Sequence, residues 1–250
     1  MFFIELKKKR LFIFLIFIFF ISSCGIGGIR ERLKEKPVVT YVEKPPELIM
    51  QDAQKYMRRQ NYLQAAETFE EIDKQHPYSK LAKKSKILAA YAYYLDKSYE
   101  NSIFAIDRFI SLHPADKSMP YVLYLKGLCY FEQIDRVYLD QNPSKNTKKV
   151  FEELVKKFPN STYTKDAKKK IIVANDQLAA KEMDVGRYYQ KKDRHLAAIE
   201  RFKVIINKYN TTAQTPEALY RLTESYLSLG IIEEAKKTTA VLSYNFKEST

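Results

Sequence analysis

Apolar residues in segment 46–77 recur every three or four positions, with charged and polar residues between them. The main apolar positions of this segment are Ala53, Tyr56, Ala65, Phe69 and Ile72. This period places apolar side chains on one face of an α-helix, whereas polar residues near position 60 interrupt the pattern and Pro77 ends it. The segment is therefore predicted to form two amphipathic helices joined by a turn, which is a helical hairpin.

A small residue followed three positions later by a tyrosine marks this hairpin and recurs along the chain. The pairs are Ala53 and Tyr56, Ala90 and Tyr93, Gly127 and Tyr130, Gly186 and Tyr189, and Thr223 and Tyr226. Successive tyrosines lie 37, 37, 59 and 37 residues apart, which predicts an array of five hairpins. The pattern resembles the tetratricopeptide repeat, in which small residues let two helices cross at about 8 to 10 Å. We therefore expect an all-α solenoid.

The longer third interval predicts two departures from the regular array. An insertion is expected in the third repeat around Tyr138 to Asn146, because this stretch contains the loop formers Asp140, Gln141, Asn142, Pro143 and Ser144. The stretch from Tyr163 to Gln190 keeps a helical period without proline, so one long helix is expected to open the fourth repeat. Repeats one to three are accordingly assigned to 47–160, and repeats four and five to 161–246.

The N-terminus has a different pattern, with basic residues at 7–10 followed by an unbroken apolar run at 11–21. The run is shorter than the ~20 residues of a spanning helix, and its charged start is typical of a secretory signal peptide, predicted at 1–23. The sequence around Cys24 resembles a bacterial lipobox, which implies a diacylglycerol and an N-acyl chain on this cysteine. A cysteine that merely lies near a cleavage site is the alternative. Residues 24–46, rich in glycine, charge and proline, are predicted to form a flexible tether.

Lipidation would decide where the protein acts. Each buried methylene contributes ~0.8 kcal/mol, so three acyl chains would hold the chain on a membrane. Gly25 in place of aspartate after the cysteine implies, by the same resemblance, the periplasmic face of the outer membrane. The chain carries a net charge of +13, but an exported lipoprotein does not meet the genome, so no nucleic-acid partner is expected. The positive charge is expected to face anionic headgroups, an acidic partner or solvent.

The polar residues do not indicate an enzyme. The sequence has no glycine-rich phosphate loop, no nucleophile elbow and no metal-binding helix motif. His76 and His113 each precede the proline that closes a repeat, and neither has a second ligand at helical spacing. Cys129, in the middle of an apolar helix, is expected to be a buried free thiol. No catalytic residue, metal or further cofactor is therefore predicted.

Five segments spread along the chain resemble the BamD family of outer-membrane protein assembly lipoproteins. They are EEIDKQHPYSK at 70–80, AAYAYY at 89–94, DRFISLHP at 107–114, YLKGLCYFEQI at 124–134 and KEMDVGRYY at 181–189. The resemblance implies a non-enzymatic scaffold of the machine that inserts β-barrel proteins into the outer membrane. It also implies three kinds of partner: the periplasmic domains of BamA, other lipoproteins of the BAM complex, and unfolded β-barrel proteins. A repeat lipoprotein that recruits periplasmic cell-wall hydrolases is the alternative.

The same resemblance implies that the N-terminal repeats contact unfolded substrates and the C-terminal repeats contact BamA. In tetratricopeptide arrays the first helices line the concave face, and this mapping predicts a substrate-peptide groove of Tyr91, Tyr94, Tyr121, Tyr124, Leu128 and Phe131. A basic set is predicted to dock BamA, and it consists of Arg187, Lys191, Lys192, Arg194, Arg201 and Lys203. Ordinary helix core for the aromatic set and a solvated face for the basic set are the alternatives.

Overall fold

A computed structural model describes residues 43–135 and 140–246 of the chain. These residues form α-helices and no strand. In chain order the helices are α1 (Pro46–Arg58), α2 (Tyr62–Gln75), α3 (Lys80–Leu95), α4 (Tyr99–Leu112), α5 (Met119–Phe131), α6 (Asn142–Lys157), α7 (Thr164–Lys191), α8 (His195–Lys208), α9 (Thr215–Ser228) and α10 (Ile232–Asn245). The predicted signal peptide, the lipidation site Cys24 and nearly all of the predicted tether lie outside the described residues.

The helices pack as successive hairpins, so that α1 contacts α2, α3 contacts α4, and the same holds to the end of the array. We call the odd-numbered helices first helices and the even-numbered helices second helices. First helices also contact the next first helix along the chain, from α1 to α3, from α3 to α5 and from α5 to α7. The prediction of an all-α solenoid built from helical hairpins is confirmed.

Glycine allows the closest approach of two helices in the third and fourth repeats. A Cβ atom added at Gly127 of α5 would overlap the ring of Phe151 in α6, and one added at Gly186 of α7 would overlap the ring of Phe202 in α8. Both phenylalanine rings are fully buried. The small residue of the sequence pattern therefore makes room for a second-helix aromatic ring.

The turn inside four of the hairpins contains one residue with a left-handed backbone conformation. These residues and their φ angles are Gln60 at 59°, Lys97 at 63°, Asp193 at 55° and Gly230 at 71°. A left-handed residue lets the chain reverse within a short turn, and glycine adopts this conformation without steric cost. Of these four turns, only the turn of the last hairpin has glycine at this position.

The insertion in the third repeat ends earlier than predicted. Asn142 already begins α6, so the assignment of 142–146 to a loop was wrong, and Tyr138, where the predicted insertion begins, lies outside the described residues. Pro143 suits the first turn of a helix because its missing N–H would have no helical partner there. Ser144 in the first turn of α6 and Thr147 in the next turn are buried, so the start of this helix packs against the array.

The long helix α7 extends over 28 residues, as predicted, and contributes to two hydrophobic cores. Near its start, Ala167 and Ile171 pack with Phe151 and other residues of α4 to α6. Further along, Met183 packs with residues of α8 and α9. The helix therefore joins the core of the third repeat to the core of the last two, while the assigned boundary at 160 stays a prediction.

Candidate protein-binding surfaces

The structure brings the six predicted groove residues together on two neighbouring first helices. Tyr91 and Tyr94 lie on α3, and the other four, Tyr121, Tyr124, Leu128 and Phe131, lie on α5. All six are half-buried and pack against the core of the second and third repeats. We call these six residues the aromatic surface. Each of the six side chains packs against the core with part of its surface and leaves the rest accessible to solvent.

Ring contacts extend the aromatic surface beyond the predicted residues. Tyr163, directly before α7, lies 5.7 Å from Tyr121 and 4.9 Å from Tyr124 between ring centroids. At the other side, the ring of Tyr99 lies 6.0 Å from that of Tyr94. Sequence reasoning missed Tyr99 and Tyr163, because both lie at helix starts outside the small-residue and tyrosine register.

A polar group from α7 borders the aromatic surface. Tyr124 donates a hydrogen bond from its hydroxyl to Oδ2 of Asp166, at 2.7 Å. The same carboxylate oxygen lies 3.7 Å from Nζ of Lys170, and this ammonium lies 4.1 Å from the ring centroid of Phe131. Such a cation above an aromatic face is attracted by the ring's electron density. Asp166 and Lys170 thus connect α7 to two residues of the aromatic surface.

Burial raises the pKa of two tyrosine hydroxyls of this surface. It raises the pKa of Tyr121 to about 12, with smaller contributions from neighbouring groups such as Tyr91 and Tyr163. Burial also raises the pKa of Tyr124, and the hydrogen bond to Asp166 raises it further. At neutral pH Tyr121 and Tyr124 therefore present uncharged aromatic rings. Rigid rings of this kind offer contact area at low cost in conformational entropy.

The predicted basic set does not form one surface, because three of its members pair with acidic residues of the chain itself. Arg187 donates from Nε to Oε1 of Glu217 on α9 at 3.0 Å. Nη1 of Arg201 lies 3.2 Å from Glu182 on α7, and Nζ of Lys203 lies 3.5 Å from Glu200. Arg201 and Lys203 are two residues apart on α8, which separates their directions by about 200° around the helix.

The other three basic residues lie together at the turn between α7 and α8. Lys191, Lys192 and Arg194 are exposed and form no ion pair with any described residue. We call them the basic turn. The sequence predicted one basic cluster; in the structure Arg187, Arg201 and Lys203 are held in ion pairs, and docking of BamA to any of the six residues stays a prediction.

Cys129 is a buried free thiol. Its Sγ donates a hydrogen bond to Oγ of Ser102 at 3.2 Å, and Ser102 in turn donates to the carbonyl oxygen of Ala90 at 2.8 Å. Burial raises the pKa of the thiol to about 11. The thiol is thus protonated at neutral pH and serves as a small packing group.

Residues 43–135 and 140–246 contain neither a metal-binding cluster nor a membrane-spanning helix. No group of three or more His, Cys, Asp or Glu side chains is arranged to hold a metal ion there. No helix in this part of the chain has the length and apolar character required to cross a membrane.

Known proteins resemble the chain over most of its length. A family described as outer membrane lipoprotein (YfiO) matches residues 42–242. The outer membrane protein assembly factor BamD of Caulobacter vibrioides is 45% identical over 224 residues, which cover 90% of this chain and 73% of the relative. BamD of Rickettsia prowazekii is 44% identical over 191 residues, which cover 76% of this chain and 76% of the relative. BamD of a Neisseria meningitidis serogroup A strain is 34% identical over 240 residues, which cover 92% of this chain and 88% of the relative.

Among solved structures, a tetratricopeptide TPR2AB domain of yeast Sti1 covers 81% of this chain with a TM-score of 0.43 and 13% identity, and the match spans 78% of that chain. The relatives found by sequence carry the name of an assembly factor and not of an enzyme. The chain belongs to the BamD family of outer membrane protein assembly factors.

Proposed function

We propose that the protein is a lipid-anchored scaffold of the β-barrel assembly machine at the periplasmic face of the outer membrane. In this role it binds the periplasmic domains of BamA, works beside other lipoproteins of the complex, and assists the insertion and folding of β-barrel proteins. Membership of the BamD family supports this proposal. The structural observation that carries it is the aromatic surface, six half-buried residues gathered on α3 and α5.

The aromatic surface suits an extended, partly apolar segment of an unfolded barrel protein. Full burial of a large apolar side chain contributes about 1.5 to 3 kcal/mol, so covering the accessible part of each half-buried ring would contribute about 1 kcal/mol. Contacts of this size add up over several rings, yet each is weak enough to be released. Such reversible binding is what an assembly factor requires of a substrate site.

The basic turn is the part of the predicted BamA site that is free to pair with another protein. Lys191, Lys192 and Arg194 have no acidic partner in the described chain, so an acidic surface could approach them without breaking an ion pair. Clustered charge of one sign accelerates association with a surface of opposite sign. Arg201 would have to exchange Glu182 for a partner carboxylate, which makes its contribution smaller.

Membrane attachment rests on Cys24, whose sequence context resembles a lipobox. We propose that this cysteine carries a diacylglycerol and an N-acyl chain and that no other cofactor is bound. Mass spectrometry of the N-terminal peptide from membrane-extracted protein tests the anchor directly. An intact signal peptide, or a mature N-terminus without lipid, would contradict it.

Photocrosslinking tests the substrate surface. A photoreactive phenylalanine derivative placed at Tyr91 or Leu128 should capture an unfolded β-barrel protein in cells. The matched control is Phe104, an aromatic residue of the second helix α4 that is 70% exposed. Capture at Phe104 as strong as at Leu128 would show that exposure alone explains the crosslinks.

Affinity purification tests the docking surface. We expect BamA to copurify with the wild-type protein and to be lost when Lys191, Lys192 and Arg194 are all changed to Glu. The matched control changes Lys165, Lys168 and Lys169 of α7 to Glu, because these lysines are also exposed and unpaired in the described chain. Equal loss in both variants would assign the effect to net charge. Recovery of cell-wall hydrolases without BamA would favour the adaptor hypothesis instead.

A further inference from the structure

We infer that a cluster of lysines, close to the point where the predicted tether joins the array, binds the anionic headgroups of membrane phospholipids. The cluster consists of Lys80 and Lys84 on α3 and Lys117 directly before α5, and we call it the lysine patch. This inference rests on the lipid anchor proposed above and adds an orientation to it: one edge of the array lies against the membrane surface.

The lysine patch lies on the edge of the array at which the described chain begins. The carbonyl oxygen of Lys44, two residues before α1, lies 2.6 Å from Nε2 of His76 in the connection between α2 and α3. Lys83, in the first turn of α3, donates from Nζ to Oδ2 of Asp116 in the connection between α4 and α5, at 2.7 Å. These two contacts bring the entry point of the chain, the start of α3 and the connection before α5 to the same edge.

The three lysines of the patch are exposed, and no described acidic residue pairs with them. Lys83, which lies between two of them on α3, is paired with Asp116. Lys80 and Lys84 are about one helical turn apart, so their like charges repel each other, and Lys80 begins α3, where the helix dipole disfavours a cation. The first turn of α3 has no acidic residue to offset these costs. An anionic surface beside the patch would relieve them.

Exposed aromatic and apolar side chains accompany the lysine patch. Tyr78, in the connection before α3, is 100% exposed, and Leu112, the last residue of α4, is 55% exposed. A tyrosine ring suits the boundary between headgroups and acyl chains, because its body is apolar and its hydroxyl forms hydrogen bonds with water. A lipid surface therefore matches both kinds of side chain, whereas an acidic protein surface matches the lysines alone.

The predicted tether also favours the membrane as the partner of this edge. About 20 residues separate Cys24 from the start of the described chain, and a flexible chain of this length has an average end-to-end distance of about 25 Å. The 14-residue helix α4 is itself about 20 Å long, so the entry edge reaches the membrane more easily than the opposite edge does. Each lysine close to an anionic surface strengthens the attraction about fivefold, so the whole patch favours contact about a hundredfold.

Fluorescence quenching in vesicles tests the inference on the mature, lipid-anchored protein. Because Cys129 is buried, a maleimide dye can be directed to a cysteine introduced at the exposed Ala115, in the connection before α5. Nitroxide-labelled headgroups should quench a dye at Ala115→Cys in vesicles with about 30% phosphatidylglycerol, and much less in phosphatidylcholine vesicles or at about 0.5 M salt. A dye at Asn101→Cys, in the first turn of α4 and about 16 Å along this helix from Leu112, should stay unquenched in all of these conditions.

Charge variants identify the lysines responsible. The triple variant Lys80→Gln, Lys84→Gln, Lys117→Gln should abolish the difference in quenching between the two vesicle types, and the corresponding triple Arg variant should retain it. The matched control changes three lysines to Gln that are likewise exposed and unpaired in the described chain but lie at or near the starts of second helices: Lys97, Lys145 and Lys149. This control removes the same total charge and should retain the difference.

The other outcomes separate this inference from the proposed anchor. Equal quenching at Ala115→Cys in both vesicle types, or none in either, would overturn the inference while the anchor stands, and would leave the lysine patch to an acidic protein surface. Equal loss in the patch variant and the matched control would assign the effect to net charge and also overturn it. Protein that does not float with the vesicles has no anchor, which would overturn the proposed attachment and this inference with it.

Discussion

Asp73 of α2 accepts a hydrogen bond from Nη2 of Arg108 in α4 at 2.7 Å, although 35 residues separate them in sequence. The other carboxylate oxygen of Asp73 lies 2.6 Å from Nζ of Lys86 in α3. The carboxylate is only 6% exposed and Lys86 only 14%. One buried acidic group therefore ties the first repeat to both helices of the second.

Replacement of Asp73 by Ala should destabilise the array strongly. The change leaves Lys86 as a buried cation without its counter-charge, and loss of one partner from a buried pair typically costs about 3 kcal/mol or more. Urea unfolding followed by circular dichroism measures the loss. The double variant Asp73→Leu with Lys86→Met should recover much of it, because it removes both charges.

An exposed ion pair provides the comparison for Asp73. Glu153 and Lys157 of α6 pair at 2.6 Å with side chains 40% and 60% exposed, so Glu153→Ala should change stability by less than about 0.5 kcal/mol. Similar losses for Asp73→Ala and Glu153→Ala would show that burial of Asp73 does not govern its effect.

The sequence predicted the hairpins well because the information for them is local. A small residue precedes a tyrosine by three positions in all five repeats, and each such pair belongs to one helix. The start of α6 was missed for a related reason: Asn142, Pro143 and Ser144 are common in loops but equally suit the first turn of a helix. Local composition could not decide between the two.

The candidate surfaces were less predictable because they depend on partners from distant helices. Helical spacing was sufficient to gather the aromatic surface, whose residues share neighbouring first helices. Two members of the predicted basic set pair with acidic residues that are distant in sequence. Arg187 pairs with Glu217, 30 residues away, and Arg201 pairs with Glu182, 19 residues away. Pattern along the chain identifies a charged residue but not the side chain that will pair with it.

Substitution of Gly127 by Ala should destabilise the third repeat by about 2 kcal/mol. The added methyl group would overlap the fully buried ring of Phe151, and overpacking of a tight core typically costs about 1 to 3 kcal/mol. Thermal and urea unfolding measure the effect. Combining Gly127→Ala with Phe151→Leu should cost less than the sum of the two single changes, and strict additivity would contradict the proposed clash.

Substitution of Lys97 by Gly should stabilise the second repeat by about 0.5 to 1 kcal/mol. Lys97 has a φ of 63°, a conformation that a residue with a Cβ adopts only at steric cost. Lys97→Ala should give no such gain, since alanine retains the Cβ. The reverse change, Gly230→Ala in the last hairpin, should destabilise the protein although no atom lies within 4 Å of the added methyl group. Unchanged stability in Gly230→Ala would refute the backbone argument.

Asp116 should make the protein more stable above pH 4 than at pH 2. Nζ of Lys83 lies 2.7 Å from Oδ2 of Asp116, and this contact, together with the N–H of Ser118, lowers the pKa of the carboxyl to about 2 from an ordinary value of 3.8. A carboxyl with a lowered pKa in the folded state contributes stability above its ordinary pKa, and that contribution disappears as pH falls through the folded value. Asp116→Asn retains an acceptor for Ser118 but removes the charge. The difference in unfolding free energy between wild type and variant should therefore be constant above about pH 5 and shrink towards zero near pH 2. A difference that does not change with pH would show that the ion pair with Lys83 contributes nothing to stability.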